Sequence, residues 1–353
     1  GMPDAAAMPC HGGTDGLGAA PNDFSTNSNA CGPCPMALAA VQQADATRYP
    51  DPAYTALRAQ LAVFHGVAPA RIVLAGSASE FIHRITALAV RRGAGAVAVP
   101  AHGYGDYAQA ARAWGLVFCH APGTGAALQW ACEPSSPLGR SDTALAAWLL
   151  DGSGQDALRV LDCAYHPLRL EGHAPPPGRL GRVWQLWTPN KALGLTGVRA
   201  AYAIAPHADA ADRLAALASS WPVGTHGVAM LAWLALLIAA LVHGVALLQA
   251  WVQPRVQHWL AECLGVLRDW KARQLALCDA LGWEVLPGSQ ANYFCARPPV
   301  ADLPALLHHL RAQGIKLRDC ASFGLPGVVR LGVLAPEAQE ALRAAVWRHT
   351  SAC

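Results

Sequence analysis

Short apolar segments typical of β-strands alternate with helical patterns along much of this chain. The strand candidates are 72–75, 96–99, 116–120, 158–162, 183–187 and 200–205. Helical periodicity lies between some of them, and a tight turn after 72–75 leads into a helix that runs through Arg92. Such alternation favours parallel pairing of successive strands, with the connecting helices packed on both faces of the sheet. We therefore predict an α/β fold with a mostly parallel sheet.

A second α/β unit is predicted at the C-terminal end. A long helical pattern at 255–281 leads to strand candidates at 283–286, 292–296, 316–318 and 328–333 and to helices at 303–313 and 336–349. Residues 1–30 are rich in glycine, asparagine and serine, which indicates an irregular arm. The predicted organisation is an arm at 1–30, a large domain at 31–254 and a small domain at 255–353, which suits a chain of 353 residues.

The charge balance and the cysteines restrict the class of protein. The 26 basic and 23 acidic residues are spread along the chain, so no nucleic-acid-binding surface is expected and a small-molecule substrate is favoured. The 11 cysteines are scattered through candidate strands and helices, which fits reduced thiols in a cytoplasmic protein. Residues 1–9 lack a basic start followed by an apolar run, so they do not resemble a secretory signal.

The stretch 214–254 contains no Asp, Glu, Lys or Arg. By length and apolarity it could span a bilayer. Three glycines and a proline interrupt it, and a span would separate Arg199 from Arg330, which the chemistry below needs on one side. A buried or interface helix pair is the favoured interpretation, and no membrane contact is predicted.

A lysine follows the strand candidate at 183–187 in a setting that suits covalent chemistry. Lys191 ends the run Thr188-Pro189-Asn190-Lys191, and a glycine-rich turn separates it from Arg199. This spacing can place an amine at a carbonyl cofactor and a guanidinium at the phosphate of that cofactor. The same run is also compatible with a surface lysine.

Two other strand ends carry candidate ligands. Asp162 ends the strand at 158–162, at the carboxyl edge where α/β sheets hold ligands, and Tyr165 follows it. Ser77 and Glu80 form a capping box after 72–75, and the free amides of such a helix start favour a phosphate. Taken alone, Asp162 could cap the next turn, and the box shows only that a helix begins.

In joint order, these motifs resemble those of the fold-type I pyridoxal-phosphate (PLP) enzymes. The similarity is to the class I/II aminotransferases, specifically the group of histidinol-phosphate aminotransferase and threonine-phosphate decarboxylase, and it covers about residues 11 to 335. It implies an aspartate-aminotransferase-like fold with PLP as cofactor. It also implies that Lys191 forms the Schiff base with PLP and that Arg199 binds the PLP phosphate.

The resemblance assigns further cofactor contacts. A buried carboxylate keeps the pyridine nitrogen of PLP protonated, a role that falls to Asp162, and Tyr165 would hydrogen-bond the phenolic oxygen. Tyr104 is expected to stack on the pyridine ring, although His102 competes for that position. The other residues implied in cofactor binding are Ala78 and Ser79 at the phosphate, Thr188 and Ser136.

Substrate and subunit contacts follow from the same resemblance. Arg330 lies in an apolar strand, where an unpaired guanidinium is costly, and would bind the substrate α-carboxylate. A structural salt bridge is the alternative for Arg330. Arg318 would contact a distal phosphate. His11 and Asn27 belong to a run similar to the decarboxylase's arm, whose histidine approaches the substrate. Tyr49 would reach the cofactor phosphate of a partner subunit, which implies a homodimer.

The chain departs from the family pattern at two places. Where the family has paired asparagines before Pro-Thr-Gly, this chain reads Ser135-Ser136-Pro137-Leu138-Gly139. Because Ser136 is shorter than asparagine, its contact with the phenolic oxygen is expected to be lost or mediated by water. Asn190 stands where the family has serine before the lysine, so altered reactivity is possible. Asn292 lies in a further family motif and is given a supporting position.

The run Cys31-Gly32-Pro33-Cys34 matches the thioredoxin redox signature letter for letter. Thioredoxins need this motif at a strand end that opens a helix, whereas here it resembles the family's Asn-Pro-x-Gly-Pro turn. A thiol-redox protein is therefore the lesser alternative. A zinc site built from this pair with Cys10 and His11 is less favoured still, and no metal is predicted.

The sequence leaves two reactions open. Aminotransfer is the commoner activity among similar sequences and is the first choice, and decarboxylation of threonine phosphate is the alternative. Aminotransfer would place the chain in amino-acid biosynthesis, and decarboxylation would place it in cobalamin biosynthesis. Arg318 suits a phosphorylated substrate under either. A PLP-fold protein that binds without turnover is also compatible with the motifs, because the bond angle that selects the reaction is not readable from a sequence.

Overall fold

The computed structural model describes residues 11–120, 125–151, 156–231, 251 and 254–352. Within these residues there are three sheets. The strands are β1 (Asn22–Asp23), β2 (Ile72–Ala75), β3 (Ala96–Ala98), β4 (Val117–Cys119), β5 (Leu128–Cys132), β6 (Leu158–Asp162), β7 (Trp184–Trp187), β8 (Ala201–Ile204), β9 (Glu284–Val285), β10 (Tyr293–Arg297), β11 (Ile315–Lys316), β12 (Arg318–Asp319) and β13 (Val329–Gly332).

The α-helices lie between the strands in the alternating order that the sequence predicts. The described α-helices are α1 (Pro35–Gln42), α2 (Thr55–His65), α3 (Ala78–Arg91), α4 (Gly105–Ala113), α5 (Thr143–Leu150), α6 (Asn190–Leu193), α7 (Ala208–Ala215), α8 (Thr225–Leu231), α9 (Pro254–Ala280), α10 (Leu303–Ala312) and α11 (Pro336–Ser351). The start of α3 has the expected cap, because the Ser77 hydroxyl accepts a hydrogen bond from the Glu80 N–H at 3.0 Å.

The largest sheet has seven strands in the order β2-β8-β7-β6-β5-β3-β4. All its pairings are parallel except those of β8, which runs antiparallel to β2 and β7. Successive residues of β6 are buried on opposite faces, Val160 in one apolar cluster and Leu161 in another. This confirms the predicted α/β class. It also brings the carboxyl ends of β3, β5, β6 and β7 to one edge, where ligands bind in such sheets.

A second sheet of four antiparallel strands, β12-β13-β10-β9, forms the C-terminal unit with α9, α10 and α11. Strand β12 lies opposite β13 in a register that pairs Arg318 with Arg330. The domain boundaries given by the sequence, at 30/31 and 254/255, stay a prediction.

The N-terminal arm is attached to this C-terminal unit. Strand β1 pairs in parallel with β11. Asp15 forms ion pairs with Lys316 at 3.0 Å and Arg311 at 3.3 Å. Phe24 donates its N–H to the Lys316 carbonyl and accepts from the Gly332 N–H. These contacts hold the arm residues that follow, Ser25 to Asn27, between the two large sheets.

The uncharged stretch is described only in part. Of 214–254, the structure describes 214–231, 251 and 254, and Met230, Leu231 and Trp251 are buried. The rest of the helix pair predicted there lies outside the described residues. Among the helices that the structure does describe, none is both long and apolar enough to cross a membrane.

Candidate active site

A cavity of about 490 Å³ lies where the carboxyl edge of the large sheet meets the arm and the C-terminal sheet. It brings together residues that lie far apart in sequence. Most of the sequence-predicted site residues line it, namely His11, Asn27, Ala78, Ser79, Tyr104, Ser136, Asp162, Tyr165, Thr188, Lys191, Arg199, Arg318 and Arg330. Tyr49 is not among the lining residues, and Asn292 contacts the site through Asn27, whose carbonyl accepts its side-chain amide at 3.0 Å.

Lys191 and Tyr165 are in direct contact in this cavity. Lys191 lies in the short helix α6, which begins just after β7, and its Nζ donates to the Tyr165 hydroxyl at 2.9 Å. Asn27 of the arm donates its side-chain amide to the same oxygen at 3.1 Å. Burial raises the pKa of Tyr165, but the charges of Lys191 and Arg330, together with the hydrogen bonds from Lys191 and Asn27, bring that pKa below its usual value. The phenol is therefore a polarised acceptor beside the amine.

Asp162 is buried at the end of β6, with 4% of its surface exposed. Its Oδ2 accepts from the Tyr107 hydroxyl at 2.5 Å, and its Oδ1 accepts from the Ala164 N–H at 3.0 Å. Burial raises the pKa of Asp162, while these two hydrogen bonds and the charge of Lys191 oppose the rise. A carboxylate withdrawn from water in this way favours a cationic partner in the cavity.

The start of α3 provides a site for an anionic group. Ala78 and Ser79 are its first two residues, so their N–H groups belong to the unpaired amides of a helix N-terminus. Thr188 and Arg199 line the same cavity. Backbone amides, hydroxyls and a guanidinium are the groups that bind phosphate in proteins.

Tyr104, rather than His102, contributes the aromatic ring to the cavity. Tyr104 precedes α4, and its ring centroid lies 5.6 Å from that of His11. His102 lines a neighbouring cavity, and its Nδ1 lies 2.7 Å from the Phe323 carbonyl oxygen. The structure therefore favours Tyr104 over its competitor for the stacking position.

Arg330 reaches the cavity from β13. Its Nη1 donates to the Ser136 hydroxyl at 3.0 Å and its Nη2 donates to the Ser25 carbonyl at 3.0 Å. Its Nε has no hydrogen-bond partner within the described residues. No salt bridge of Arg330 is found in that part of the chain either, so the structural ion pair that the sequence left open is not seen there.

Arg318 lies beside Arg330 on the paired strand. Its guanidinium donates to the Asp319 carbonyl and to the Ser322 hydroxyl, and it lies 4.7 Å from the centre of the Phe323 ring. Both arginines are about 95% buried. Their register places two positive charges on the same face of the sheet and next to the same cavity.

Sequence reasoning missed two contacts of acidic side chains in the cavity. Asp106 is buried beside His11, with 3.5 Å between Asp106 Oδ1 and His11 Nε2. Tyr107 supplies the hydrogen bond to Asp162. The available signal was the run Gly103-Tyr104-Gly105-Asp106-Tyr107, which lies at the first turn of a helix that follows a strand.

The surroundings of the two cysteines in the thioredoxin-like motif do not favour a redox role. The neighbouring Cys263 thiol of α9 and burial raise the pKa of Cys31. Burial also raises the pKa of Cys34. Redox-active cysteines have lowered pKa values, so the structure disfavours the thiol-redox alternative. Cys10, which the zinc alternative needs, lies outside the described residues.

Tyr49 lies away from the cavity of its own subunit. Its side chain is 78% exposed and stacks on Trp221, with 4.2 Å between ring centroids. The exposed position leaves the predicted contact with a partner subunit as a prediction.

The donor set of the cavity fits PLP. PLP carries a phosphate, a ring nitrogen that is protonated in its active form, a phenolic oxygen and an aldehyde. The residues that would hold these groups, in the same order, are the α3 N-terminus with Arg199, the buried Asp162 carboxylate, Tyr165 and the Lys191 amine, all of which line the cavity. Each reactive group of the cofactor thus has a chemically matched residue in one cavity.

Comparisons with known proteins agree with this chemistry. The model of the family "Aminotransferase class I and II" matches residues 16–126 and 186–348. A histidinol-phosphate aminotransferase of Thiobacillus denitrificans is 30% identical over 342 residues, 88% of this chain and 80% of that protein. One of Jannaschia sp. is 28% identical over 340 residues, 90% of this chain and 88% of that protein.

Two solved structures have the same fold. The histidinol-phosphate aminotransferase of Clostridium acetobutylicum superposes with a TM-score of 0.76 at 16% identity, over 94% of this chain and 99% of that chain. The L-threonine-O-3-phosphate decarboxylase of Porphyromonas gingivalis does so with a TM-score of 0.73 at 21% identity, over 93% and 99%. The fold, the cofactor chemistry of the cavity and the sequence match agree: this chain belongs to the class I and II aminotransferases, a family of PLP-dependent enzymes.

Proposed function

We propose that this chain is an aminotransferase whose amino-group donor or acceptor carries a phosphate, as histidinol phosphate does. The observation that supports a phosphorylated substrate is the pair Arg318 and Arg330. These two guanidiniums lie opposite each other on neighbouring strands, buried, at the same cavity as Lys191.

The arginine pair is informative because two buried positive charges placed opposite each other repel. Like charges directly opposite each other in a sheet destabilise it, and burial increases the cost. The described contacts of the pair include the Phe323 ring, which lies near both guanidiniums, and hydroxyl and carbonyl oxygen acceptors. Anionic substrate groups at the cavity would oppose the repulsion between the two guanidiniums. Carboxylate and phosphate are the anions whose geometry matches two guanidiniums.

The roles of the chain's own residues follow from their contacts. Bound PLP would supply an electron sink for the electrons released at the substrate Cα. Asp162 would hold a proton on the cofactor's ring nitrogen, and Ala78, Ser79 and Arg199 would bind its phosphate. The Lys191 Nζ would accept the proton from the substrate Cα and hold it as the general base, because its amine is free once substrate has displaced it.

Tyr165 and Asn27 would orient the Lys191 amine. The Tyr165 hydroxyl accepts from both the Lys191 amine and the Asn27 amide. We propose that this oxygen keeps the amine directed at the reacting carbon and that Asn27, held by the arm, fixes the phenol in turn. Ser136 would act on the substrate through Arg330 instead of replacing the family's asparagine at the phenolic oxygen.

The enzyme is further proposed to act as a homodimer in the cytoplasm. Tyr49 would complete the phosphate site of the partner subunit, and its exposed position beside Trp221 supports this. Mass measurement of the purified protein, together with loss of PLP affinity in Tyr49→Phe, would test the assignment.

The reaction is tested with two separate assays on the PLP-loaded protein. Histidinol phosphate with 2-oxoglutarate should yield glutamate, and threonine phosphate should release no carbon dioxide. Histidinol, which lacks the phosphate, serves as the matched substrate. Carbon dioxide without glutamate would overturn aminotransfer, and equal rates with histidinol would overturn the phosphorylated substrate.

Replacing Arg318 by glutamine is expected to raise the KM for histidinol phosphate roughly 10- to 100-fold, as expected for the loss of a hydrogen bond between charged groups. The KM for histidinol should not change, because it has no group for Arg318 to bind. Steady-state kinetics with both substrates measure the difference. Arg297→Gln, at an exposed arginine of the same sheet, is the control, and an equal effect on both substrates would contradict the assignment.

Decarboxylation of threonine phosphate is the second candidate, and one observation favours it. The arm brings His11 and the Ser25 carbonyl to the cavity, the latter bonded directly to Arg330. A small substrate with both carboxylate and phosphate could occupy both arginines while His11 contacts it. Release of carbon dioxide from threonine phosphate, lost in His11→Ala, would support this candidate.

A further inference from the structure

A tyrosine with no role in the scheme above donates a hydrogen bond to Asp162, a buried acid of the site. The Tyr107 hydroxyl donates to Asp162 Oδ2 at 2.5 Å; Tyr107 is fully buried and Asp162 is 4% exposed. Tyr107 lies in the first turn of α4, and its ring stacks on Trp130 with 4.5 Å between centroids and 15° between planes. The packed ring fixes the hydroxyl in one position.

The contacts of Asp162 leave a defined part of its carboxylate available. Oδ1 accepts from the Ala164 N–H at 3.0 Å, and Oδ2 accepts from Tyr107. A carboxylate has about four acceptor positions, so two remain, and Asp162 lines the cavity. Burial alone would favour the neutral acid, which could not stabilise a cation. The two donors favour the ionised form.

We propose that Tyr107 is a positioning residue, which keeps Asp162 ionised and aims its free lone pairs at the ring nitrogen of the cofactor. The proposal rests on the function proposed above, because it takes Asp162 as the partner of that nitrogen. Tyr107 does not touch the cofactor's reacting atoms in this scheme. Tyr107 lines the same cavity, and its effect on the cofactor's ring nitrogen would pass through its hydrogen bond to Asp162.

A purely structural role makes a different prediction. Tyr107 also packs against Tyr104, at 5.7 Å between ring centroids, so its ring could serve only to fill the core. Tyr107→Phe keeps that ring and removes only the hydroxyl. If packing were the whole role, this change would leave every property of the Asp162 carboxylate as it was.

The test compares the affinity of the protein for PLP with its affinity for the 1-deaza analogue, in which carbon replaces the ring nitrogen. Wild type should prefer PLP, because only PLP can pair with Asp162. In Tyr107→Phe this preference should fall roughly 10- to 100-fold, the usual effect of losing a hydrogen bond to a charged group. Affinity for the analogue should stay the same. Titration followed by absorbance gives both dissociation constants without any measurement of turnover.

Tyr202→Phe is the matched control. Tyr202 is also fully buried, and its hydroxyl accepts from Trp251 Nε1 at 3.0 Å, away from the cavity. Tyr202→Phe should leave the preference for PLP over the analogue unchanged. A preference equal to wild type in Tyr107→Phe would overturn the proposal alone. A wild-type protein that binds both compounds equally would overturn the assignment of Asp162, and the proposal with it. Thermal unfolding of each variant checks that it is folded.

Discussion

Replacing Lys191 by alanine is expected to lower kcat for aminotransfer by about 10⁴-fold or more. The change removes the amine that holds the cofactor covalently and the general base at Cα together, and general acid–base catalysis alone contributes up to about 10⁴-fold. The visible absorbance band of the lysine-bound cofactor should disappear as well. Steady-state kinetics and the absorbance spectrum of the PLP-loaded variant provide the two measurements.

A second buried lysine provides the control. Lys271 is 3% exposed and donates to the Ser289 carbonyl at 2.8 Å, in a setting that does not line the cavity. Lys271→Gln should lower the melting temperature and keep the absorbance band. If the band survives in Lys191→Ala, the covalent role of Lys191 is wrong, whatever the rate.

Much of the fold was readable from the sequence because it depends on local patterns. Strand β6 was predicted with its observed bounds, and β7 within one residue, since each is a short apolar run bounded by turn-forming residues. The position of Lys191 directly after β7 follows from the same runs. In a mostly parallel sheet, the carboxyl ends of the strands meet at one edge. A shared cavity at that edge could therefore be expected without knowing the order of the strands.

Strands whose identity depends on distant partners were predicted less well. Strand β5, Leu128–Cys132, was missed, since it contains glutamine and alanine and no β-branched residue. The single strand expected at 316–318 is two strands, β11 pairing with the arm and β12 pairing with β13. A local pattern carries no information about which neighbour a strand pairs with.

The contacts between side chains of the site were the least predictable part. The sequence suggested that Ser136 would lose a contact to the cofactor, but it did not suggest that Ser136 would accept from Arg330, 194 positions away. The bond from Tyr107 to Asp162 spans 55 positions and depends on how α4 packs on the sheet. Residue types at a site can be inferred from motifs, whereas the second layer of hydrogen bonds follows from tertiary packing.

The second large effect is expected for Arg330→Ala, which should lower kcat/KM for 2-oxoglutarate by roughly 10²- to 10³-fold. Removing one member of a buried, hydrogen-bonded charge pair costs about 2–5 kcal/mol, and the α-carboxylate of this substrate is the anion assigned to Arg330. Histidinol phosphate has no carboxylate, so its kcat/KM should fall less. Separate variation of the two substrates measures the two values.

Arg330→Lys separates charge from geometry. A lysine keeps the positive charge but has one nitrogen, so it cannot bond Ser136 and the Ser25 carbonyl and still present two parallel donors to a carboxylate. Its effect should therefore lie between that of wild type and alanine. Ser136→Ala should produce a smaller loss in the same direction, because the guanidinium keeps its charge but loses one of the two acceptors that orient it. An equal loss for both substrates in all three variants would mean that Arg330 supports the fold of the C-terminal sheet and does not select the α-carboxylate.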